Sequence, residues 1–135
     1  MPRVLVTEDD PAIRRLLALT LRRRRVEVEL ATNGAEAVEA LKRGPWAALV
    51  LDLMMPQVDG WEVVRWIAAH TEHRPKTVIV MSAADRDALR GLDPSVVNAI
   101  IFKPFDVLQL GAYVKNAVQQ HGEDRRRARV VRQKL

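Results

Sequence analysis

Apolar residues in this chain fall into short continuous runs, and between the runs they recur at helical spacing. Arg3 to Val6 is a short apolar run. After Pro11, a residue suited to a first helical turn, Ile13, Leu16, Leu17, Thr20 and Leu21 recur with helical periodicity. Val26, Val28 and Leu30 alternate with Glu27 and Glu29, which predicts a strand with one wet face at a sheet edge. Thr32-Asn33-Gly34 breaks that strand and caps a second helix striped by Ala35, Val38 and Leu41, ended by Gly44-Pro45. Ala47 to Leu51 reads as a fully buried strand, followed by a loop from Met54 to Gly60 and a helix turning Trp61, Val64, Ile67 and Ala68 inward. Thr77 to Met81 is a fourth strand, and a short helix is expected between Asp85 and Leu92, stopped near Pro94. Ala99 to Phe102 is a fifth strand. Asp106 caps a last helix with Val107, Leu110, Val114 and Val118 on its stripe.

Strand and helix thus alternate five times along the chain. Apolar strands between amphipathic helices imply a parallel sheet covered on both faces, with right-handed crossovers. A length of 135 residues suits one compact domain, and 48% hydrophobic residues suffice for its core. In open sheets of this kind a ligand site lies beyond the carboxyl ends of the strands. There the polar residues collect: Glu8, Asp9 and Asp10 after the first strand, Asp52 after the third, Ser82 after the fourth and Lys103 after the fifth.

Such a rim implies particular chemistry. Two carboxylates about 4 Å apart repel by roughly 4 kcal/mol at an effective dielectric near 20. A divalent cation offsets that repulsion, and oxygen ligands without histidine or cysteine favour a hard ion, Mg2+ above all. A nearby lysine and hydroxyl can hold a phosphoryl group. The set reads as a phosphoryl-transfer site with an aspartate nucleophile.

Composition narrows the setting. The absence of cysteine excludes disulfides and thiolate metal sites, and suits a reducing, cytoplasmic location. No apolar run is long enough for a bilayer, and the first residues do not resemble a secretory leader, so no membrane role is expected. The net charge of +5 is concentrated: residues 122–135 carry +4 and residues 1–121 only +1. Nucleic-acid binding through the globular part is therefore not expected. The expected organisation is a domain over residues 1–121 and a basic tail, helix extension or linker over 122–135. His70, His73 and His121 lack mutual metal-ligand spacing and read as surface residues. Trp61 and Trp66, five apart, cannot share one helix face.

The stretches TEDDP, LDLMMPQVDG, VIVMSA and IIFKPF, in this order, resemble the receiver domain of bacterial response regulators, the CheY-like family, over about residues 2 to 120. The resemblance implies a flavodoxin-like (βα)5 doubly wound sheet, a five-stranded parallel α/β fold of strand order 2-1-3-4-5. It implies that Asp52 is the phosphoacceptor, Asp9 a direct Mg2+ ligand and Glu8 a ligand through water, with the Met54 backbone carbonyl completing the metal shell. Ser82 and Lys103 would bind phosphoryl oxygens, and Lys103-Pro104 would be cis. The implied phosphodonor is a sensor histidine kinase or phosphotransfer protein. The implied recipient of the signal is a downstream target protein or an output domain, and a homodimer through the helix 4–strand 5–helix 5 face is a further implied arrangement. The chain would catalyse its own phosphorylation and slow dephosphorylation without being a turnover enzyme; a phosphorylation-independent adaptor is the alternative.

Two departures from the family pattern stand out. The switch position three residues before the lysine, usually aromatic, is Ile100, which leaves Ser82 coupling through another residue such as Phe102. Gly91 to Asn98 lacks the usual small residues and contains Pro94, so the fourth helix is expected to be short or displaced. Met54 and Ala84, each two residues beyond a site residue, offer no strong hydrogen bond to an attacking water, which predicts slow loss of phosphate.

Overall fold

The structure is a computed structural model that describes residues 1–55 and 57–119 and the backbone of residues 129–131. The strands are β1 (Arg3–Thr7), β2 (Glu27–Ala31), β3 (Ala48–Asp52), β4 (Thr77–Ser82), β5 (Ala99–Phe102) and β6 (Arg129–Val131). They form one sheet of order β2-β1-β3-β4-β5-β6, parallel throughout. The expected five-strand order is present, with one strand added beyond β5. The helices are α1 (Pro11–Arg23), α2 (Gly34–Lys42), α3 (Gly60–Ala69) and α4 (Val107–Gln119).

The two faces of the sheet bury separate cores. Leu17, Ala18 and Leu21 of α1 and Leu110, Val114 and Val118 of α4 pack on one face with Val6, Val50, Ile79 and Ile101. Ala37, Ala40 and Leu41 of α2 and Val63, Val64 and Ile67 of α3 pack on the other with Leu5, Leu49, Leu51, Val78 and Val80. β3 and β4 are therefore buried at every position, as continuous apolar runs require. β2 lies at the edge, where its glutamates reach solvent.

Side chains start each helix. Asp10 Oδ1 accepts from the amides of Ala12 and Ile13 at 2.8 and 3.3 Å, and Pro11 needs no partner in that first turn. Asn33 caps α2 through the Glu36 amide at 2.9 Å, and the Glu36 carboxylate reaches back to the Thr32 amide and hydroxyl at 2.6 and 2.8 Å. Asp59 caps α3, and Asp106 caps α4.

The structure corrects several sequence expectations. Ala35 and Ala68 face solvent; the inward stripes are Gly34, Ala37, Ala40 and Leu41 in α2, and Val63, Val64 and Ile67 in α3. Both errors are one residue, about 100° of helical rotation, from the true stripe. Leu16 is 48% exposed because Leu17, Ala18 and Leu21 already fill the α1 contact. Trp61 and Trp66 are both half-buried, and Trp66 stacks on His70 with 4.3 Å between ring centroids.

The fourth expected helix is reduced to a single 3₁₀ turn, Asp87–Leu89. Leu89, Leu92, Val96 and Val97 still enter the core on the α2–α3 side. Polar side chains order this connection. Asp93 Oδ1 accepts from the amide and hydroxyl of Ser95 at 2.9 and 2.6 Å, and those bonds hold its carboxyl below the usual range. Arg74 Nη2 donates to the Val96 carbonyl at 2.9 Å, and Asn98 Oδ1 accepts from the Val78 amide at 2.7 Å. Pro94 removes one amide from the run, and these side-chain bonds replace a helix's internal ladder. Most of the expected tail, 122–128 and 132–135, lies outside the described residues.

Candidate functional site

Parallel pairing brings the carboxyl ends of the strands to one rim. Asp52 ends β3 opposite Met81, and Ser82 ends β4 opposite Phe102, directly before Lys103. Glu8 follows β1, and its amide still pairs with the Ala31 carbonyl at 3.1 Å. Lys103 crosses this rim. Its Nζ lies 3.1 Å from Asp52 Oδ2 and 3.4 Å from Glu8 Oε1. Asp52 and Glu8 are almost wholly buried, at 2% and 1% exposure, so the two anions depend on protein partners. Asp52 Oδ1 accepts from the Met54 amide at 3.0 Å, and Glu8 Oε2 accepts from the Asp10 amide at 3.0 Å.

The acidic loop after β1 is held from α1. Arg14 Nη1 donates to the carbonyls of Glu8 and Asp9 at 2.9 and 3.3 Å. The guanidinium thus fixes the backbone that carries the acids. The loop after β3 returns tightly. The Gly60 amide donates to the Leu53 carbonyl at 3.1 Å, and a Cβ on Gly60 would meet the Asp52 carbonyl oxygen and Leu53 Cα at 2.5 Å. Only glycine lets α3 start this close to the strand that carries Asp52. Lys103-Pro104 is cis, as the resemblance implies.

Burial dominates the electrostatics. Glu8 is pushed up to about 7 from an ordinary value near 4.5, first by desolvation. The Asp10 amide opposes that rise, and the neighbouring Asp52 reinforces it. For Lys103, burial disfavours the ammonium, but the carboxylates of Asp52 and Glu8 outweigh it and raise the lysine above its usual range.

Glu8, Asp9 and Asp52 each offer a carboxylate oxygen, and these three oxygens lie within 4.8 Å of one another. Two of the acids are buried, and one has a proton affinity raised by burial. An all-oxygen anionic set of this kind fits a hard divalent cation such as Mg2+.

The structure brings Glu8, Asp9, Asp52 and Lys103 together as expected from sequence. Met54 enters through its amide, with its side chain 62% exposed. Ser82 is fully buried at the rim, and its hydroxyl accepts from the Ala84 amide at 3.0 Å. Ile100 and Phe102 are half-buried against the α2–α3-side core. Sequence reasoning missed the structural parts of Arg14 and Gly60. The signals were present: a basic residue one turn into α1, and a glycine right after the Asp59 cap.

Comparison with known proteins follows this geometry. The profile of the response regulator receiver domain matches residues 4–115. Response regulator MprA of Mycobacterium leprae is 34% identical over 90% of this chain and 53% of its own length. The transcriptional regulatory protein YkoG of Bacillus subtilis is 33% identical over 88% of this chain and 52% of its own length. The chain thus spans about half the length of these curated relatives. Among solved structures, response regulator TrrA of Thermotoga maritima, crystallised with Mg(2+)-BeF, superimposes with a TM-score of 0.73 at 29% identity, covering 87% of this chain and 99% of that one. With a rim of acids, hydroxyl and lysine on a 2-1-3-4-5 sheet and matches of this extent, the chain belongs to the family of response regulator receiver domains of two-component signalling.

Proposed function

We propose that Asp52 accepts a phosphoryl group from the phosphohistidine of a sensor histidine kinase or a phosphotransfer protein. A carboxylate oxygen of Asp52 forms the new O–P bond as the donor's N–P bond breaks, and the departing imidazole keeps the electron pair and takes a proton from solvent. The product is an acyl phosphate carrying roughly −1.5 to −2 charges, by analogy with other phosphorylated side chains. Asp9, Asp52 and the Met54 carbonyl would hold Mg2+ directly, with Glu8 acting through water. When bound, the ion offsets negative charge on the acids and on the transferred group.

The observation that carries this reading is Lys103 Nζ between Asp52 and Glu8, 3.1 and 3.4 Å away. The ammonium already stands at the rim where the incoming phosphoryl oxygens would lie, so little reorganisation is needed. Lys103 would exchange its contact with Asp52 for one to the phosphoryl oxygens. Ser82 would release the Ala84 amide to bind another, moving the end of β4 against β5. Phe102, opposite Ser82, is the side chain best situated to pass that motion on in place of an aromatic at Ile100.

By analogy with the longer relatives, residues 1–121 act as the receiver unit and 122–135 as a linker towards an output domain, although the strand at Arg129–Val131 is not the helix extension expected there. A cytoplasmic setting follows from the kinase partner. Among the described residues, no helix is long and apolar enough to cross a membrane.

The test is Mg2+-dependent labelling by acetyl phosphate, followed by intact mass. One added phosphoryl group in the native chain and none in Asp52→Ala is expected. Labelling that persists in Asp52→Ala would remove Asp52 from the role.

A further inference from the structure

The added strand β6 lies against the outer edge of β5, with Ala99, Ile100 and Ile101 in register with Arg129, Val130 and Val131. Without it, β5 would end the sheet with a row of unpaired amides and carbonyls.

The hand of the β5–α4–β6 unit is informative. The β1–α1–β2 unit steps one way along the sheet, with its helix on the α1–α4 face. The β3–α3–β4 unit steps the opposite way with its helix on the opposite face, and so has the same hand. The β5–α4–β6 unit steps like β3–α3–β4, but its helix lies on the α1–α4 face. Its hand is therefore opposite to that of the others. Parallel crossovers are right-handed in about 98% of cases, because a twisted strand and its helix pack back onto the sheet only that way. A three-residue strand joined with the disfavoured hand is held to β5 by a short run of main-chain pairing.

We propose that the outer edge of β5 is a strand-docking edge, closed in cis by Arg129–Val131, and that this segment is a detachable latch and not a sixth strand of the core. The sequence suits a latch: two β-branched valines favour extended pairing, and flanking Arg129 and Arg132 are charges of the kind that discourage further edge growth. The edge would accept a short, extended, β-branched segment. The latch operates with or without phosphoryl transfer.

The test is amide hydrogen exchange read by NMR on the full chain. Consecutive amides of a strand point to opposite sides, so Val130→Pro combined with Val131→Pro must remove one donor facing β5 whichever way the strand is turned. Amides of Ala99–Phe102 that face away from β4 should exchange at least tenfold faster in this double variant. Val130→Thr with Val131→Thr should stay within twofold of the native chain, and the Val50 amide should not change in either. Adding a peptide of residues 122–135 to the proline variant should restore slow exchange. Equal exchange in all three chains would overturn the proposal. So would protection in the native chain that rises with protein concentration, since the strand would then come from a second copy.

Discussion

Lys103 Nζ and Asp52 Oδ2 are 3.1 Å apart although 51 residues separate them, and this contact ties the end of β5 to the end of β3. Glu8 shares the same ammonium at 3.4 Å. One cation thus serves two buried acids, and most of the expected behaviour of the site follows from that ratio.

Replacing Lys103 with Met leaves the Glu8 and Asp52 carboxylates facing each other without a counter-charge. Removing one partner of a fully buried pair costs about 3–5 kcal/mol. The lysine side chain is 22% exposed, so a smaller loss of about 1–3 kcal/mol is expected after allowing for solvent screening. Urea unfolding without metal measures it. Adding Mg2+ should recover part of the loss, and a variant as stable as the native chain would contradict the shared-ammonium arrangement.

The pH dependence follows from Glu8. Its carboxyl binds a proton more tightly in the folded chain, at about 7, than at its ordinary value near 4.5. The folded state therefore holds more protons between those values, and this contribution to stability is full below about 4.5 and is lost as pH rises through about 7. The loss is on the order of 3 kcal/mol at most. Thermal unfolding of metal-free protein between pH 5 and 8 should show it, and Glu8→Gln should flatten the profile.

Met54 and Ala84 are the positions expected to set the lifetime of the proposed phosphorylated form. Neither side chain orients water strongly. Replacing Met54, 62% exposed beside Asp52, with Asn should speed loss of the phosphoryl group by about tenfold, within the range of a positioned polar group. The rate of phosphate release after donor removal is the readout. An unchanged or slower rate would count against the expectation.

Gly60→Ala should destabilise the chain by about 1–3 kcal/mol, the usual penalty for overpacking. The added Cβ meets the backbone of Asp52 and Leu53, which cannot swing aside as a side chain would. Chemical denaturation measures the loss, and the variant should also label more slowly with acetyl phosphate because Asp52 shifts.

Much of the fold was legible because burial on both faces writes itself as continuous apolar runs. Ala48 to Leu51 and Val78 to Met81 were readable for that reason. The rim acids, Ser82 and Lys103 were readable because each is a polar residue closing such a run. Local periodicity was weaker at Ala35 and Ala68, since alanine is small enough to sit on either side of a helix. The missing fourth helix was half-visible in Pro94, but the Arg74, Asn98 and Asp93 bonds that replace it span up to 24 residues and leave no periodic trace. The Val130–Val131 pair carried a strand signal that its basic surroundings hid.

The single turn at Asp87–Leu89 changes what a partner can grip. A protein shaped to embrace a helix at that point would meet instead a chain segment held by its own side-chain bonds. Such a local irregularity would let shape, before charge, separate the partners this surface accepts from those it refuses.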